Sequence, residues 1–164
     1  MTHAAFPGSF DPLTIAHLAI VDAVRAQRDA VWVDLVISQQ ALDKEGRAHE
    51  PVPDRVATIE THRSTRPWVR PLVTEEQLLV DIARGYDLLV VGADKWHQLH
   101  DPRYYGDSRH ARDAALDRLP DLAIVPRSDV RLPRSVANQV LELPEQFLDV
   151  SSTAVRDGRD DWRA

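Results

Sequence analysis

Short apolar segments separated by polar turns recur along the chain. Four of them stand out, Ala4–Pro7, Val31–Ser38, Asp87–Gly92 and Asp121–Val125, and the last three are rich in Val, Ile and Leu. Apolar runs of this length predict strands that are buried on both faces, as in a parallel sheet. Two weaker segments, Trp68–Val73 and Val140–Leu143, are candidates for further strands.

Segments with helical spacing lie between the apolar runs, at Leu18–Gln27, Pro53–His62 and Glu75–Arg84. Gly85 follows the last of these and predicts a helix stop. Alternating strands and helices predict an α/β fold, a Rossmann-like open parallel sheet with helices on both faces. With no repeat or linker in the sequence, residues 1–164 are expected to form one domain. The ligand crevice of such a sheet lies at the carboxyl ends of the strands.

Composition restricts the classes of function. The chain has 164 residues, no cysteine and a formal net charge of −6. The missing cysteines exclude disulfides and thiolate chemistry, and the acidic balance argues against general binding of nucleic acid. No apolar run approaches the length of a membrane span. We therefore expect a cytoplasmic enzyme with small-molecule substrates and neither nucleic acid nor a membrane as partner, and the sequence leaves a homo-oligomer open.

The segment Gly8–His17 follows the first strand and runs into the first helix. Gly8 permits a close approach to a ligand, and Ser9 adds a hydroxyl donor. Thr14 and His17 are three residues apart, so on one helical turn they point the same way. Free amides at a helix start favour an anion. Taken singly, these residues favour a tight turn, an N-cap threonine and a partly buried histidine, but the whole string favours a phosphate site.

A second hydroxyl-rich segment, Val150–Arg156, lies near the far end of the chain. Ser151, Ser152 and Thr153 would open a helix and offer donors to phosphate oxygens. Arg156 lies one turn further and could bring a positive charge to the same place. Any phosphate site built from both segments requires that they converge in space.

Together the two segments resemble the signatures of the nucleotidyltransferase superfamily that includes pantetheine-phosphate, nicotinate/nicotinamide-mononucleotide and glycerol-3-phosphate nucleotidylyltransferases. The first signature is G-(S/T)-F-(D/N)-P-x-(H/T)-x-G-H, and Gly8–His17 departs from it only at Ala16, where the family has glycine. The second is (I/V)-S-S-T-x-(I/V)-R, which Val150–Arg156 matches.

The resemblance implies a nucleotidyltransferase, most simply one that moves AMP from ATP to a phosphorylated acceptor with release of pyrophosphate. No protein nucleophile is needed, and Mg²⁺ would accompany the triphosphate without a protein-built metal site. The implied catalytic residues are His17, Thr14 and Lys44. The implied nucleotide-binding residues are Gly8, Ser9, Phe10, His17, Ser151, Ser152, Thr153 and Arg156.

The acceptor is less clearly indicated. Gly92–Trp96 resembles the Gly-x-Asp stretch of nicotinate- and nicotinamide-mononucleotide adenylyltransferases, which implies that Gly92, Asp94 and Trp96 bind a pyridine mononucleotide. Leu78–Ala83 instead resembles the helix that lines the pantetheine site of pantetheine-phosphate adenylyltransferases. A pyridine mononucleotide ranks first, pantetheine phosphate second, and a polyol phosphate that takes CMP third. A non-catalytic nucleotide-binding sensor is the alternative outside the enzymes.

Overall fold

Parallel strands form one sheet in the part of the chain that a computed structural model describes, residues 1–39 and 50–164. The strands are β1 (Thr2–Pro7), β2 (Ala30–Ser38), β3 (Val69–Thr74), β4 (Leu88–Gly92) and β5 (Asp121–Val125). Their order is β3-β2-β1-β4-β5, and every neighbouring pair is parallel. The predicted open parallel sheet is confirmed, and the weak segment Trp68–Val73 supplies β3.

Helices connect the strands and cover both faces of the sheet. They are α1 (Ile15–Arg28), α2 (Val52–Thr61), α3 (Leu79–Ile82), α4 (Ala93–Leu99), α5 (Arg109–Leu116) and α6 (Ser152–Arg156). Short 3₁₀ helices span His62–Ser64, Pro102–Tyr105, Arg134–Gln139, Glu145–Phe147 and Asp160–Trp162. Within the described ranges, no helix is long and apolar enough to cross a membrane.

Alternation along the strands produces two apolar layers. In β2, Leu35 and Ile37 belong to the layer that packs against α1 and α2. Val36, which points to the opposite face, belongs to the layer that packs against α3, α4 and α5. Because both faces are covered, the central strands are mostly apolar, which is the pattern that identifies them in the sequence.

Two predicted elements are wrong in extent or type. The helix expected over Glu75–Arg84 is reduced to α3, because the exposed residues before Leu79 have no apolar face to bury. Val140–Leu143 forms no strand: Val140 makes one isolated bridge to Ile124, and the Leu141 amide donates to the Ile124 carbonyl at 2.8 Å. One residue of pairing fixes this segment beside β5 without extending the sheet.

The direction of strand addition changes between β1 and β4. The chain moves outward from β1 through β2 to β3 and then returns to place β4 on the other side of β1. Such a reversal opens a crevice at the carboxyl ends of the two central strands. The loop after β1 begins with Gly8 and β4 ends at Gly92, so the first signature and the Gly92–Trp96 segment both border this crevice.

Candidate active site

The loop after β1 holds Phe10 against His17. Phe10 has a backbone φ of 48°, in the left-handed region, and its residue is 2% exposed. Its ring meets the His17 imidazole edge-on, with ring centroids 4.9 Å apart. A Cβ atom at Gly8 would lie 2.8 Å from Phe10 Cζ, which is closer than carbon atoms approach. Glycine is therefore required beside this buried ring.

Thr14 and His17 hold each other through a reciprocal capping box at the start of α1. The Thr14 amide donates to His17 Nδ1 at 2.9 Å, and the His17 amide donates to Thr14 Oγ1 at 3.4 Å. Since Nδ1 accepts this backbone hydrogen bond, a neutral imidazole carries its proton on Nε2. Thr14 is 1% exposed, so its hydroxyl orients His17 from inside the protein.

Carbonyl groups of the first loop are tied back into the protein by four donors from distant segments. The Ser9 carbonyl accepts from Arg55 Nη1 at 2.8 Å, and the Leu13 carbonyl accepts from the Ala164 amide at 3.1 Å. The other two donors come from α6, described next. Each bond fixes the backbone and offsets the partial negative charge of a carbonyl oxygen. A loop with neutralised carbonyls is a better neighbour for an anion.

The second signature packs directly on the first. Ser152 Oγ donates to the Pro12 carbonyl at 2.7 Å, and Arg156 donates to the Asp11 carbonyl. Ser151 is the N-cap of α6, where its hydroxyl accepts from the Ala154 amide at 3.1 Å, and Thr153 Oγ1 accepts from Arg156 at 3.0 Å. The expected convergence of the two segments is therefore observed.

A cavity of about 150 Å³, here called the His17 cavity, opens on the α1 side of β1 and β4. It brings His17 together with Gly92 at the end of β4, Asp94 at the start of α4 and Arg127 after β5. Val150, the first residue of the second signature, lines the same space. A histidine, an arginine and a carboxylate thus face one pocket, as a phosphate- and hydroxyl-bearing ligand would require.

A second cavity of about 100 Å³, here called the Lys95 cavity, lies on the other side of the loop. Its lining combines the loop and the end of β2 with side chains of α3, α4 and the following 3₁₀ helix: Pro7, Gly8, Ser9, Val36, Ser38, Gln77, Leu78, Leu79, Ile82, Lys95, Gln98, Leu99, Tyr104 and Tyr105. Burial raises the pKa of the Tyr105 phenol, which donates to the Leu99 carbonyl at 2.9 Å. Tyr105 therefore contributes a neutral hydroxyl.

Trp96 does not meet the other predicted site residues. It lines a separate cavity of about 580 Å³ at the amino ends of β1, β4 and β5, with its ring 4.2 Å from that of His100. The helical period explains the separation, because consecutive residues of a helix point about 100° apart and Trp96 is thus turned to a different face of α4 from Lys95. The sequence predicts that Trp96 binds the acceptor, but in the fold Trp96 lines neither the His17 cavity nor the Lys95 cavity. Lys44 lies outside the described residues.

Several residues at the site were not singled out by sequence reasoning. Lys95 and Gln98 share one face of α4, and their i, i+3 spacing immediately after a strand is a signal that could have identified them. Arg55 is 7% exposed and donates to the Ser9 and Glu50 carbonyls. The hydrogen bond from Ala164 to Leu13 joins only backbone atoms, so no pattern of side chains in the sequence indicates it.

Comparison with known proteins decides the family. Residues 5–158 match the family model described as cytidylyltransferase-like. The chain belongs to the cytidylyltransferase-like family. Phosphopantetheine adenylyltransferase of Bacteroides fragilis is 30% identical over 87 residues, which are 53% of this chain and 54% of that protein. The chain thus matches about half the length of this curated relative.

Solved structures share the fold of this cytidylyltransferase-like chain. Nicotinic acid mononucleotide adenylyltransferase of Plasmodium falciparum complexed with NaAD superposes with a TM-score of 0.68 at 13% identity, covering 94% of this chain and 82% of that chain. The same enzyme complexed with APC gives a TM-score of 0.66 at 14% identity, covering 96% and 83%. The family is thus shown along the chain, while identities this low establish the fold alone.

Proposed function

We propose that this cytidylyltransferase-like protein is an adenylyltransferase that moves AMP from ATP to a phosphorylated acceptor. The observation that carries the proposal is the junction of the two signatures, in which Ser152 and Arg156 pack on the loop that presents His17. The acceptor phosphate oxygen attacks the α-phosphorus of ATP. The bond from that phosphorus to the oxygen bridging to the β-phosphate breaks, and pyrophosphate leaves.

The His17 cavity is the proposed nucleotide side of the site. His17 would donate from Nε2 to an α-phosphate oxygen and stabilise the charge that develops during transfer. Asp94 lines the same cavity and could accept from ribose hydroxyls, so we assign it to the nucleotide rather than the acceptor. Gly8, Ser9 and the Phe10 amide are proposed to face the phosphates from the loop, with Ser151, Thr153 and Arg156 at the opposite side.

Magnesium is proposed to arrive with the triphosphate. Among the described residues, no group of three or more His, Asp or Glu side chains converges into a metal-binding cluster. A magnesium ion that takes its ligands from phosphates and water needs no such cluster, and Asp94 is the carboxylate lining the His17 cavity. When bound, the ion would neutralise phosphate charge. We therefore propose a magnesium ion that binds together with the nucleotide.

The Lys95 cavity is the proposed acceptor side, and a pyridine mononucleotide is the first candidate. The ring would lie towards Tyr104 and Tyr105, with the phosphate at Ser9. Pantetheine phosphate is the second candidate, because Leu78, Leu79 and Ile82 of the α3 region supply an apolar wall to this cavity. The related Bacteroides fragilis protein is named for transfer to phosphopantetheine. Cytoplasmic location and self-association remain predictions.

Pyrophosphate release tests the proposal. ATP and CTP would each be paired with nicotinate mononucleotide, nicotinamide mononucleotide, pantetheine phosphate and glycerol phosphate, with the nucleotide alone as the control. We expect release with ATP and a pyridine mononucleotide, matched one to one by dinucleotide product. Nucleotide binding without release in every pairing would instead indicate a sensor. Release only with CTP and glycerol phosphate would indicate a cytidylyltransferase.

A further inference from the structure

Among the described residues that line the proposed acceptor cavity, Lys95 supplies a positive charge that no lining carboxylate balances. It is the one ionised side chain among the described residues that line this cavity. Its ammonium donates to the neutral amide oxygen of Gln98 at 2.8 Å, and within residues 1–39 and 50–164 no salt bridge to a carboxylate engages it. A lysine already oriented by a neutral partner keeps its full charge for a ligand.

Lys95 and the first loop reach the cavity from different elements. The Lys95 ammonium donates to Gln98, one turn further along α4. Leu99 and Tyr105 line the same cavity. Ser9, where the proposed function places the acceptor phosphate, lines it from the loop after β1. The helix and the loop can therefore offer separate groups to the ring substituent and to the phosphate of one acceptor.

We propose that Lys95 is a specificity-determining residue that selects an acceptor with a carboxylate on its planar ring over the corresponding neutral amide. This inference rests on the proposed adenylyl transfer. A carboxylate would form a charge-assisted bond with the ammonium, whereas a carboxamide would offer only a neutral oxygen. The surrounding apolar side chains lower the local dielectric and enlarge that difference.

The charge of the ring itself points the same way. A pyridinium carboxamide is cationic, and the described lining of the Lys95 cavity contains no carboxylate to balance it. A pyridinium carboxylate is neutral overall and places its negative group where the ammonium lies. A pantetheine arm is uncharged beyond its phosphate and would leave the Lys95 charge without a partner. Among the candidate acceptors, the acidic ring is therefore the best electrostatic match.

The test compares two acceptors that differ only at the ring substituent. Wild type, Lys95→Met and Lys95→Gln would be assayed for kcat/KM with nicotinate and nicotinamide mononucleotide at saturating ATP. We expect wild type to prefer the acid by about tenfold or more, the effect of one charge-assisted hydrogen bond. Both variants should lose that preference, mainly through a fall in kcat/KM for the acid. Arg103→Met is the matched control, since it removes an exposed surface cation paired with Asp101.

Direct binding separates this inference from the proposed function. Calorimetry would measure ATP and each mononucleotide against the same proteins. If ATP binds and no acceptor reacts, adenylyl transfer fails, yet tighter binding of the acid that Lys95→Met abolishes would still support the specificity role. An equal loss for both mononucleotides would show that Lys95 binds their shared phosphate and would overturn the inference. Unchanged preference in both variants, or wild-type preference for pantetheine phosphate, would also overturn it.

Discussion

His17 is oriented by its own helix start. Its Nδ1 accepts from the Thr14 amide at 2.9 Å, and Phe10 packs edge-on against its ring. Rotation of the imidazole would break the hydrogen bond and displace a buried aromatic contact. The proton on Nε2 is thereby held in a fixed direction, which is the condition for stabilising charge without reorganisation.

Replacing His17 should affect turnover more than nucleotide binding. We expect His17→Ala to lower kcat by roughly 10²- to 10³-fold, the usual effect of removing one preorganised donor. The dissociation constant for ATP should change far less, since the other phosphate contacts remain. Steady-state kinetics and calorimetry would measure the two quantities, with exposed His110→Ala in α5 as the control. Near-normal turnover would exclude His17 from the mechanism.

The location of a single residue could be predicted where a motif fixed it, but not where it depended on which face of a helix the residue occupies. Gly8 and His17 lie at the crevice because the carboxyl end of a central strand must do so. Trp96 and Lys95 are adjacent in sequence but line different cavities on different faces of α4. A short helix of seven residues gives too few apolar positions for the sequence to show which face is turned inward.

At the scale of elements, Arg55 joins α2 to the phosphate loop. Its Nε donates to the Glu50 carbonyl at 2.9 Å, and its Nη1 donates to the Ser9 carbonyl at 2.8 Å. The Glu50 amide in turn donates to Asp11 Oδ1 at 3.2 Å. The loop and the start of α2 are thus fixed by a single planar guanidinium that reaches two carbonyls at once. A lysine has one nitrogen and cannot reproduce this geometry.

Arg55→Lys is therefore expected to weaken both the fold and the loop. We expect a loss of about 1–3 kcal/mol in the free energy of unfolding, because a buried carbonyl loses its donor. The dissociation constant for ATP should rise more in Arg55→Lys than in the control variant Arg63→Lys. Arg63 is the matched control, since it is half-exposed and pairs only with Glu60 on the next turn of the surface. Equal urea midpoints and ATP affinities for the two variants would contradict the positioning role.

Elements were predicted best where burial on both faces made them apolar throughout. β2, β4 and β5 follow the expected segments closely, and the covered sheet explains why. The predicted helix was longer than α3 because Glu75–Arg84 has helical spacing only in its second half. The first half of this segment is bonded to the edge of the sheet. The Glu76 carbonyl accepts from Ser38 Oγ at 2.7 Å, a tertiary contact that local spacing does not show.

At the scale of the whole molecule, the loop after β1 and the last residues of the chain meet at the site. Arg163 forms an antiparallel bridge with Thr14, and the Ala164 amide donates to the Leu13 carbonyl at 3.1 Å. α6 supplies two further bonds to the same loop through Ser152 and Arg156. Three of the four donors to the carbonyls of the phosphate loop therefore come from residues 152–164. The two signatures made their meeting predictable, but the backbone bridge at Thr14 left no trace in the sequence.

Proline at position 164 removes the donor of that bridge and little else. Arg163 has φ −68° and ψ 137°, a conformation that a residue preceding proline adopts readily. Proline also keeps an apolar side chain where Ala164 packs against the core. We expect Ala164→Pro to lower the free energy of unfolding by about 1 kcal/mol, the net worth of one hydrogen bond, and to speed hydrogen exchange of the Thr14 amide.

Ala164→Gly provides the comparison, because glycine removes the methyl group but retains the amide. Only the proline variant should loosen the capping box and so reduce turnover by a few-fold while ATP affinity holds. Amide exchange, urea unfolding and steady-state kinetics on the two variants would measure these effects. Identical exchange at Thr14 in the two proteins would mean that Leu13 needs no donor from residue 164, and that the distant end of the chain does not position His17. A shared loss of stability with normal exchange would assign the effect to the lost methyl packing instead.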